Sequence, residues 1–231
     1  MNERQTTASR PPAWSPPEPR PQRLETDRFT IRPYALSDAP ALFRAVESSR
    51  AHFLPWLPWA ASQHTSVDAS RGSIAKFIES SVHPTDPANN AVFGFVMGVF
   101  DRATGELVAG TGYNRIHFES AEAETGYWVA ASHVRRGIAF EVASSIISWA
   151  FTPQADSGWG FRRVRLFASE PNVASCGVIR KLGIRQESRA VRDRWADGHG
   201  WCDSLGWGVL AEEWDRSRHR PIAGAMAPSI P

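Results

Sequence analysis

Apolar and polar residues follow strand-like and helix-like periods in turn along this chain. Residues 23–34 alternate apolar and polar positions and end near Pro33, which predicts a strand. Two stretches, 36–48 and 66–82, repeat apolar residues at intervals of three and four, which predicts two amphipathic helices. Residues 91–116 contain two apolar runs around a turn with Asp and Gly, which predicts a β-hairpin.

The second half of the chain continues the alternation. A strand over 121–130 precedes a helix that ends near Phe151. A strand over 162–170, a short helix over 172–183 and a hairpin over 184–214 complete the order β-α-α-β-β-β-α-β-α-β-β. A hairpin-rich first half that leads into a β-α-β unit predicts a mixed sheet with helices on both faces.

Length and composition indicate one domain with loose ends. The chain has 231 residues, of which 42% are hydrophobic, enough for a substantial core. Residues 1–23 carry six prolines and almost no aliphatic side chain, so we expect a disordered arm before a single domain over 24–215. Residues 216–231 have a similar composition and are expected to form a disordered tail.

Charge and cysteine content narrow the classes of partner. The formal net charge is +2 and no basic stripe is present, which argues against nucleic acid. The two cysteines, Cys176 and Cys202, form no CxxC pair, so we expect reduced thiols, a cytoplasmic location and no metal. No stretch approaches the roughly 18 apolar residues of a membrane span. The N-terminus lacks the apolar core of a signal peptide.

Candidate chemistry appears at the start of the helix that ends near Phe151, where residues 134–139 read VRRGIA. A helix N-terminus leaves four backbone N–H groups without partners and carries a partial positive charge. If Gly137 permits close approach, these amides can receive a pyrophosphate, with Arg135 and Arg136 as charged donors. The alternative is an ordinary helix start with two solvated arginines.

A second candidate lies one strand later. Asn172 precedes the short helix as a good N-cap residue, and Ser175 follows in the first helical turn. That turn comes directly after strand 162–170, at the sheet edge where ligands bind in α/β proteins. Alternatively, both residues serve only the helix.

The segments YWVAASHVRRGIAFE and SEPNVASCGVIRKLG resemble the acyl-CoA-binding motif and the following motif of the GNAT N-acetyltransferase superfamily. The superfamily's phosphate loop has Arg or Gln, two residues, Gly, one residue, and Gly or Ala. Gly137 and Ala139 match this pattern, whereas Val134 and Phe140 depart from it. The resemblance extends over residues 23–214 and is narrower than the superfamily. Three further segments resemble the ribosomal-protein serine/alanine N-acetyltransferase subfamily: RLETDRFTIRPYALSDAPALFRAV, SRAHFLPWLPW and DGHGWCDSLGWGVLAEEW.

This resemblance implies a mixed α/β GNAT fold, with a mostly antiparallel sheet of six to seven strands and about four helices. It also implies acetyl transfer from acetyl-CoA to a primary amine. The strand that holds Tyr127–Val129 is expected to splay from its neighbour and bind the cofactor in the resulting slot. The residues expected at acetyl-CoA are Tyr127, Trp128, Val129, Val134, Arg135, Arg136, Gly137, Ile138, Ala139, Phe140, Asn172 and Ser175.

Catalytic roles follow from the same resemblance. Many members carry a Tyr where this chain has Ile179, so Ser175 is the expected proton donor to the leaving thiol. Glu124 is expected to act as the base through water, or else to form a structural ion pair. The subfamily's acidic residue corresponds to Arg194, and the adjacent Asp193 faces the other way unless the strand bulges.

The loop HFLPWLPW is the expected acceptor wall. His52 would offer a polar contact, and Trp56 and Trp59 would offer flat apolar surfaces, although the loop could equally be a hydrophobic plug. The expected acceptor is the N-terminal α-amine of a protein such as a ribosomal protein. A small-molecule amine acetyltransferase and a non-catalytic acyl-CoA sensor are the alternatives. Open sheet edges would also allow a homodimer.

Overall fold

One eight-stranded sheet organises the protein. The structure, a computed structural model, describes residues 12–82 and 94–217. The strand order is β1-β2-β3-β4-β5-β6-β8-β7, and every neighbouring pair is antiparallel except β5 and β6. The strands are β1 (Leu24–Glu25), β2 (Phe29–Pro33), β3 (Phe95–Asp101), β4 (Leu107–His117), β5 (Glu122–Val129), β6 (Arg163–Ser169), β7 (Arg185–Ala196) and β8 (Gly200–Leu210).

Helices cover both faces of this sheet. The helices are α1 (Ala39–Glu47), α2 (Arg50–Phe53), α3 (Val67–Val82), α4 (Ile138–Phe151) and α5 (Val173–Lys181). Helices α4 and α5 pack on one side, which we call the α4 face, over the larger hydrophobic core. Helices α1 and α3 pack on the other side, the α1 face, over a smaller core.

The predicted fold class is confirmed, and the element count differs for local reasons. The predicted strand 23–34 is interrupted because Thr26 turns the chain, with its N–H donating to Phe29 O at 2.8 Å. This turn divides one predicted strand into β1 and β2, so the sheet has eight strands. The one-turn helix α2 adds a fifth helix that carries no periodic signal of its own.

The N-terminal segment departs from the predicted disorder over its described part, residues 12–23. Trp14 is buried, stacks on Phe161 with ring centroids 4.5 Å apart, and donates from Nε1 to Trp159 O at 2.7 Å. Burial of this indole removes apolar surface from water, and the prolines leave the segment less chain entropy to lose on ordering. Residues 1–11 and 218–231 lie outside the described part of the chain.

The feature that positions the site is a gap between β5 and β6. These strands pair only from Glu122 opposite Arg163 to Glu124 opposite Arg165. Beyond that point β5 stays paired with β4, and β6 stays paired with β8. Each strand is therefore held by its outer neighbour, and the two diverge. We call the space between 125–129 and 166–169 the slot.

Candidate active site

The N-terminus of α4 follows directly from the slot strand β5. The helix begins at Ile138, within residues 134–139 where the sequence predicted a helix start, and Gly137 precedes it with φ +77°, a conformation that favours glycine. Ile138 is buried and anchors the first turn, whereas Arg135, Arg136 and Gly137 are exposed. Helix geometry leaves the first-turn N–H groups without intrahelical acceptors, so this turn presents amide donors to an anion.

The two residues that depart from the family pattern lie at the margin of this turn. Val134 is exposed and precedes Arg135, which has φ +63°. Phe140 packs against the larger core, and Lys181 Nζ lies 4.6 Å from its ring centroid. Neither side chain alters the backbone N–H groups, so these two departures from the family pattern leave the amide donors in the first turn of α4 unchanged.

A brace from the β1–β2 turn holds this loop, and sequence reasoning missed it. Arg28 donates from Nη1 to Arg136 O at 3.0 Å and from Nε to Glu141 Oε2 at 2.7 Å. Thr26 Oγ1 donates to Glu141 Oε1 at 2.6 Å. Glu141 lies in the first turn of α4, where a carboxylate also interacts well with the helix dipole. No local pattern links these residues, which are more than 100 positions apart along the chain.

Backbone alternation decides which amides of β5 face the slot. Ala130 N donates to Val108 O, so the even-numbered residues of this strand direct their amides to β4. The N–H and C=O groups of Tyr127 and Val129 therefore face the slot, as the resemblance implied. The expectation for Trp128 was wrong as regards its backbone, which pairs opposite Gly110 in β4.

The side chain of Trp128 also has a structural setting. It lies on the α1 face within the smaller core, with its ring centroid 5.5 Å from that of Phe53. Gly110 makes room for the indole, since a Cβ there would lie 2.3 Å from Trp128 Nε1. Trp128 thus fixes β5 against the helices of the α1 face.

Helix α5 brings a hydroxyl to the slot from the α4 face. Asn172 Oδ1 accepts a hydrogen bond from Ser175 N at 3.1 Å, so Asn172 caps the helix. Burial raises the pKa of Tyr127 to about 12, and the nearby Ser175 hydroxyl opposes this shift. The Ser175 hydroxyl therefore lies near that of Tyr127, which has no hydrogen-bond partner among the described residues. Ile179 is buried in the larger core and offers no polar group.

Glu124 lies at the point where β5 and β6 separate. It shares strand parity with Trp128, so its side chain projects on the α1 face, opposite Tyr127. Its Oε2 accepts a hydrogen bond from Arg115 Nη1 at 3.1 Å, and 24% of its side chain is exposed. Glu124 is thus both ion-paired and accessible, so the two roles foreseen for it are compatible.

The sequence left open whether the strand that holds Asp193 bulges, and strand β7 does bulge there. Ala190 pairs with Ser204 and Arg194 with Cys202, so β7 places two more residues in this interval than β8 does. The bulge turns Asp193 towards β8, where its Oδ1 accepts a hydrogen bond from Ser204 N at 3.0 Å. Because β8 and β6 both lie between Asp193 and the slot, this carboxylate is farther from β5 than Glu124 is.

The aromatic loop after α2 meets the final hairpin. The ring centroids of Trp56 and His199 lie 5.1 Å apart, a contact that joins this loop to the β7–β8 turn. His52 is exposed, and its ring centroid lies 5.7 Å from that of Phe53. Trp59 instead packs in the smaller core, 5.8 Å from Phe53, which favours the plug interpretation for this residue. Sequence reasoning did not single out His199, although it lies in the quoted DGHGW segment.

Arg50 pins the same loop from helix α2. Its Nη2 donates to His64 O at 2.9 Å and its Nη1 to Gln63 O at 3.2 Å. Burial and the nearby Arg50 lower the pKa of His64, whose Nδ1 lies 3.2 Å from Ser70 Oγ. His64 is therefore a neutral structural residue near neutral pH, and the wall is stiffly held.

A metal-ion site and a membrane span are both absent from residues 12–82 and 94–217. No cluster of three His, Cys, Asp or Glu side chains suited to a metal ion occurs there. No helix in those ranges is long and apolar enough to cross a membrane.

Comparisons with known proteins agree with this geometry. Residues 28–185 match the acetyltransferase (GNAT) domain family. The uncharacterized N-acetyltransferase YoaA of Bacillus subtilis is 26% identical over 164 residues, covering 71% of this chain and 83% of that protein.

Solved structures share the fold at low sequence identity. The ribosomal-protein-S5-alanine acetyltransferase of Vibrio fischeri superposes with a TM-score of 0.68 at 19% identity, covering 84% of this chain and 98% of that one. RimJ of Mycobacterium smegmatis, in complex with CoA-disulfide, gives 0.69 at 22% identity, covering 84% and 89%. With more than half of its length matched by the family, this chain belongs to the GNAT acetyltransferases and is an acetyl-CoA-dependent N-acetyltransferase.

Proposed function

We propose that this enzyme acetylates the N-terminal α-amine of a polypeptide, with ribosomal proteins as the acceptor class. The observation that carries the proposal is the slot between β5 and β6. It has hydroxyl groups on the α4 face and a carboxylate with an aromatic wall on the α1 face. Donor and acceptor can therefore approach from opposite faces of the sheet.

The residues of the slot fit acetyl-CoA. The first-turn amides of α4 suit its pyrophosphate, and Arg135 and Arg136 add positive charge. The slot-facing backbone groups of Tyr127 and Val129 suit the pantetheine arm. When bound there, acetyl-CoA supplies an acetyl group activated as a thioester.

Three groups of the chain then serve the transfer. The N–H of Val129 stabilises negative charge that develops on the acetyl oxygen. Glu124 receives the proton of the attacking amine through water, since only a neutral amine is nucleophilic. Ser175 hydrogen-bonds the departing sulfur and passes it a proton, which the hydroxyl then recovers from water.

Two observations favour a polypeptide as acceptor. Gly126 faces the acceptor side of the slot, and no atom lies within 4 Å of its Cβ position, so the approach is open. Trp195 and Trp201 at the hairpin tip are 55% and 61% exposed and offer apolar surface beside the Trp56–His199 contact. One solved structure named above, the ribosomal-protein-S5-alanine acetyltransferase of Vibrio fischeri, acts on a ribosomal protein according to its name, in line with this acceptor class.

A panel of amines tests the acceptor class. Purified enzyme is mixed with acetyl-CoA and a peptide with free N-terminal Ala or Ser, the same peptide blocked at its N-terminus but containing lysine, or small polyamines. Thiol release is followed, and the products are mapped by mass spectrometry. We expect turnover of the free-N-terminus peptides alone, with acetyl on the α-amine.

Other outcomes separate the alternatives. Turnover of polyamines in preference to peptides would contradict the proposal and make this a small-molecule amine acetyltransferase. Binding of acetyl-CoA without turnover of any amine would make it a sensor.

We also place the enzyme in the cytoplasm, which its two free thiols, Cys176 and Cys202, support.

A further inference from the structure

The hydroxyl of Tyr127 is a buried polar group that the chemistry above does not use. Its oxygen exposes less than 1 Å² and has no hydrogen-bond partner among the described residues. Leaving a buried hydroxyl without a partner costs free energy that a phenylalanine would not cost. Such groups call for an explanation in function or in a ligand that completes them.

The position of Tyr127 directs this hydroxyl to the first turn of α5. Strand parity places its ring on the α4 face with Ala123 and Val129, where it packs against the larger core. There the side chains of Ser175 and Cys176 lie near enough to affect the pKa of this hydroxyl. The backbone N–H of Ser175 donates to Asn172 Oδ1, and this bond holds the first turn of α5 in position.

The slot therefore has two adjacent hydroxyls, one from each of its walls. Tyr127 comes from β5 and Ser175 from the helix that follows β6. A serine hydroxyl rotates freely and can point its proton away from a ligand, whereas a second hydroxyl that donates to its oxygen removes that freedom.

We infer that Tyr127 is a positioning residue for Ser175. With acetyl-CoA in the slot, its O–H donates a hydrogen bond to Ser175 Oγ, and the Ser175 proton is thereby left to point at the thioester sulfur. Tyr127 keeps its own proton throughout, and no covalent bond changes at this residue. The inference rests on the proposed role of Ser175 in acetyl transfer.

The variant Tyr127→Phe isolates this role. It keeps the ring that packs against the core and removes only an oxygen that has no partner, so the fold is expected to be at least as stable as the wild type. Thermal unfolding and acetyl-CoA affinity, measured by calorimetry, serve as controls: the unfolding temperature should be no lower than that of the wild type, and the affinity should match it.

A double-mutant cycle provides the kinetic test. Loss of one orienting hydrogen bond should lower kcat about 3- to 10-fold, with the KM for acetyl-CoA unchanged. In the Ser175→Ala background, Tyr127→Phe should have no further effect, because the residue acts only through Ser175. A merely structural tyrosine would give the same loss in both backgrounds.

A second readout needs no acceptor and no turnover. Donors aimed at the sulfur should lower the pKa of the thiol of bound CoA, which is measured from thiolate absorbance against a desulfo-CoA complex. Tyr127→Phe and Ser175→Ala should each raise that pKa towards the value of free CoA, and the double variant should match Ser175→Ala. This readout stands even if every tested acceptor fails.

Three results would overturn the inference. One is wild-type kcat in Tyr127→Phe. Another is an undiminished effect of Tyr127→Phe in the Ser175→Ala background. The third is a thiol pKa of bound CoA that is the same in wild type and Tyr127→Phe.

Discussion

The variant Gly137→Trp is expected to bind acetyl-CoA at least about 100-fold more weakly than the wild type, because two or more charge-assisted hydrogen bonds to the pyrophosphate would be lost. Gly137 has φ +77° at the N-cap of α4, next to the amides of the first turn. We expect an indole there to cover those amides. Calorimetric titration with acetyl-CoA measures the loss.

Gly105→Trp is the matched control. Gly105 in the β3–β4 turn has φ +72°, so a Trp there strains the backbone about as much as a Trp at Gly137 does. No atom lies within 4 Å of the Gly105 Cβ position, so the side chain has room. The turn contributes no residue to the slot or to the first turn of α4, and acetyl-CoA affinity should stay at the wild-type value. Equal affinity in both variants would show that the first turn of α4 does not hold the pyrophosphate.

Glu124→Gln is expected to lower kcat/KM for a peptide acceptor by about 100-fold, the scale of a lost general base, while acetyl-CoA affinity is kept. The side chain lies where β5 and β6 part, on the face opposite Tyr127, and is partly exposed to an incoming amine. Glutamine preserves its shape and removes its ability to take a proton. Steady-state kinetics with saturating acetyl-CoA measure the effect.

Two control variants distinguish Glu124 acting as the base from two alternatives, a structural ion pair with Arg115 and a base at Asp193. Arg115→Gln removes the ion-pair partner of Glu124 and should leave turnover near the wild-type rate if the carboxylate acts on the amine rather than on the fold. Asp193→Asn should behave similarly, because that carboxylate is held at Ser204 N on β8. A large loss in Asp193→Asn with near-normal Glu124→Gln would reverse the assignment.

Local signals predicted the elements and the start of α4 correctly. The helical period, the Asn172 cap and Gly137 each act within a few residues, so the sequence carries them openly. The divergence of β5 and β6 is different, because it depends on which strands each one pairs with. Only the family resemblance suggested it.

Long-range and irregular features escaped the sequence analysis. The brace from Arg28 to Glu141 joins residues 113 positions apart, and the docking of Trp14 depends on a surface built by distant aromatics. The bulge in β7 includes Arg192 at φ +47°, with no glycine or proline to announce it. Such features arise from tertiary packing, which overrides local preference.

A crystal structure of the enzyme with CoA tests the central claim most directly. We expect the pyrophosphate at the N–H groups that begin α4, the pantetheine between β5 and β6, and the sulfur beside Ser175 and Tyr127. Glu124 should lie across the slot from that sulfur, on the acceptor face. A CoA molecule bound elsewhere, with β5 and β6 paired along their full length, would contradict the account.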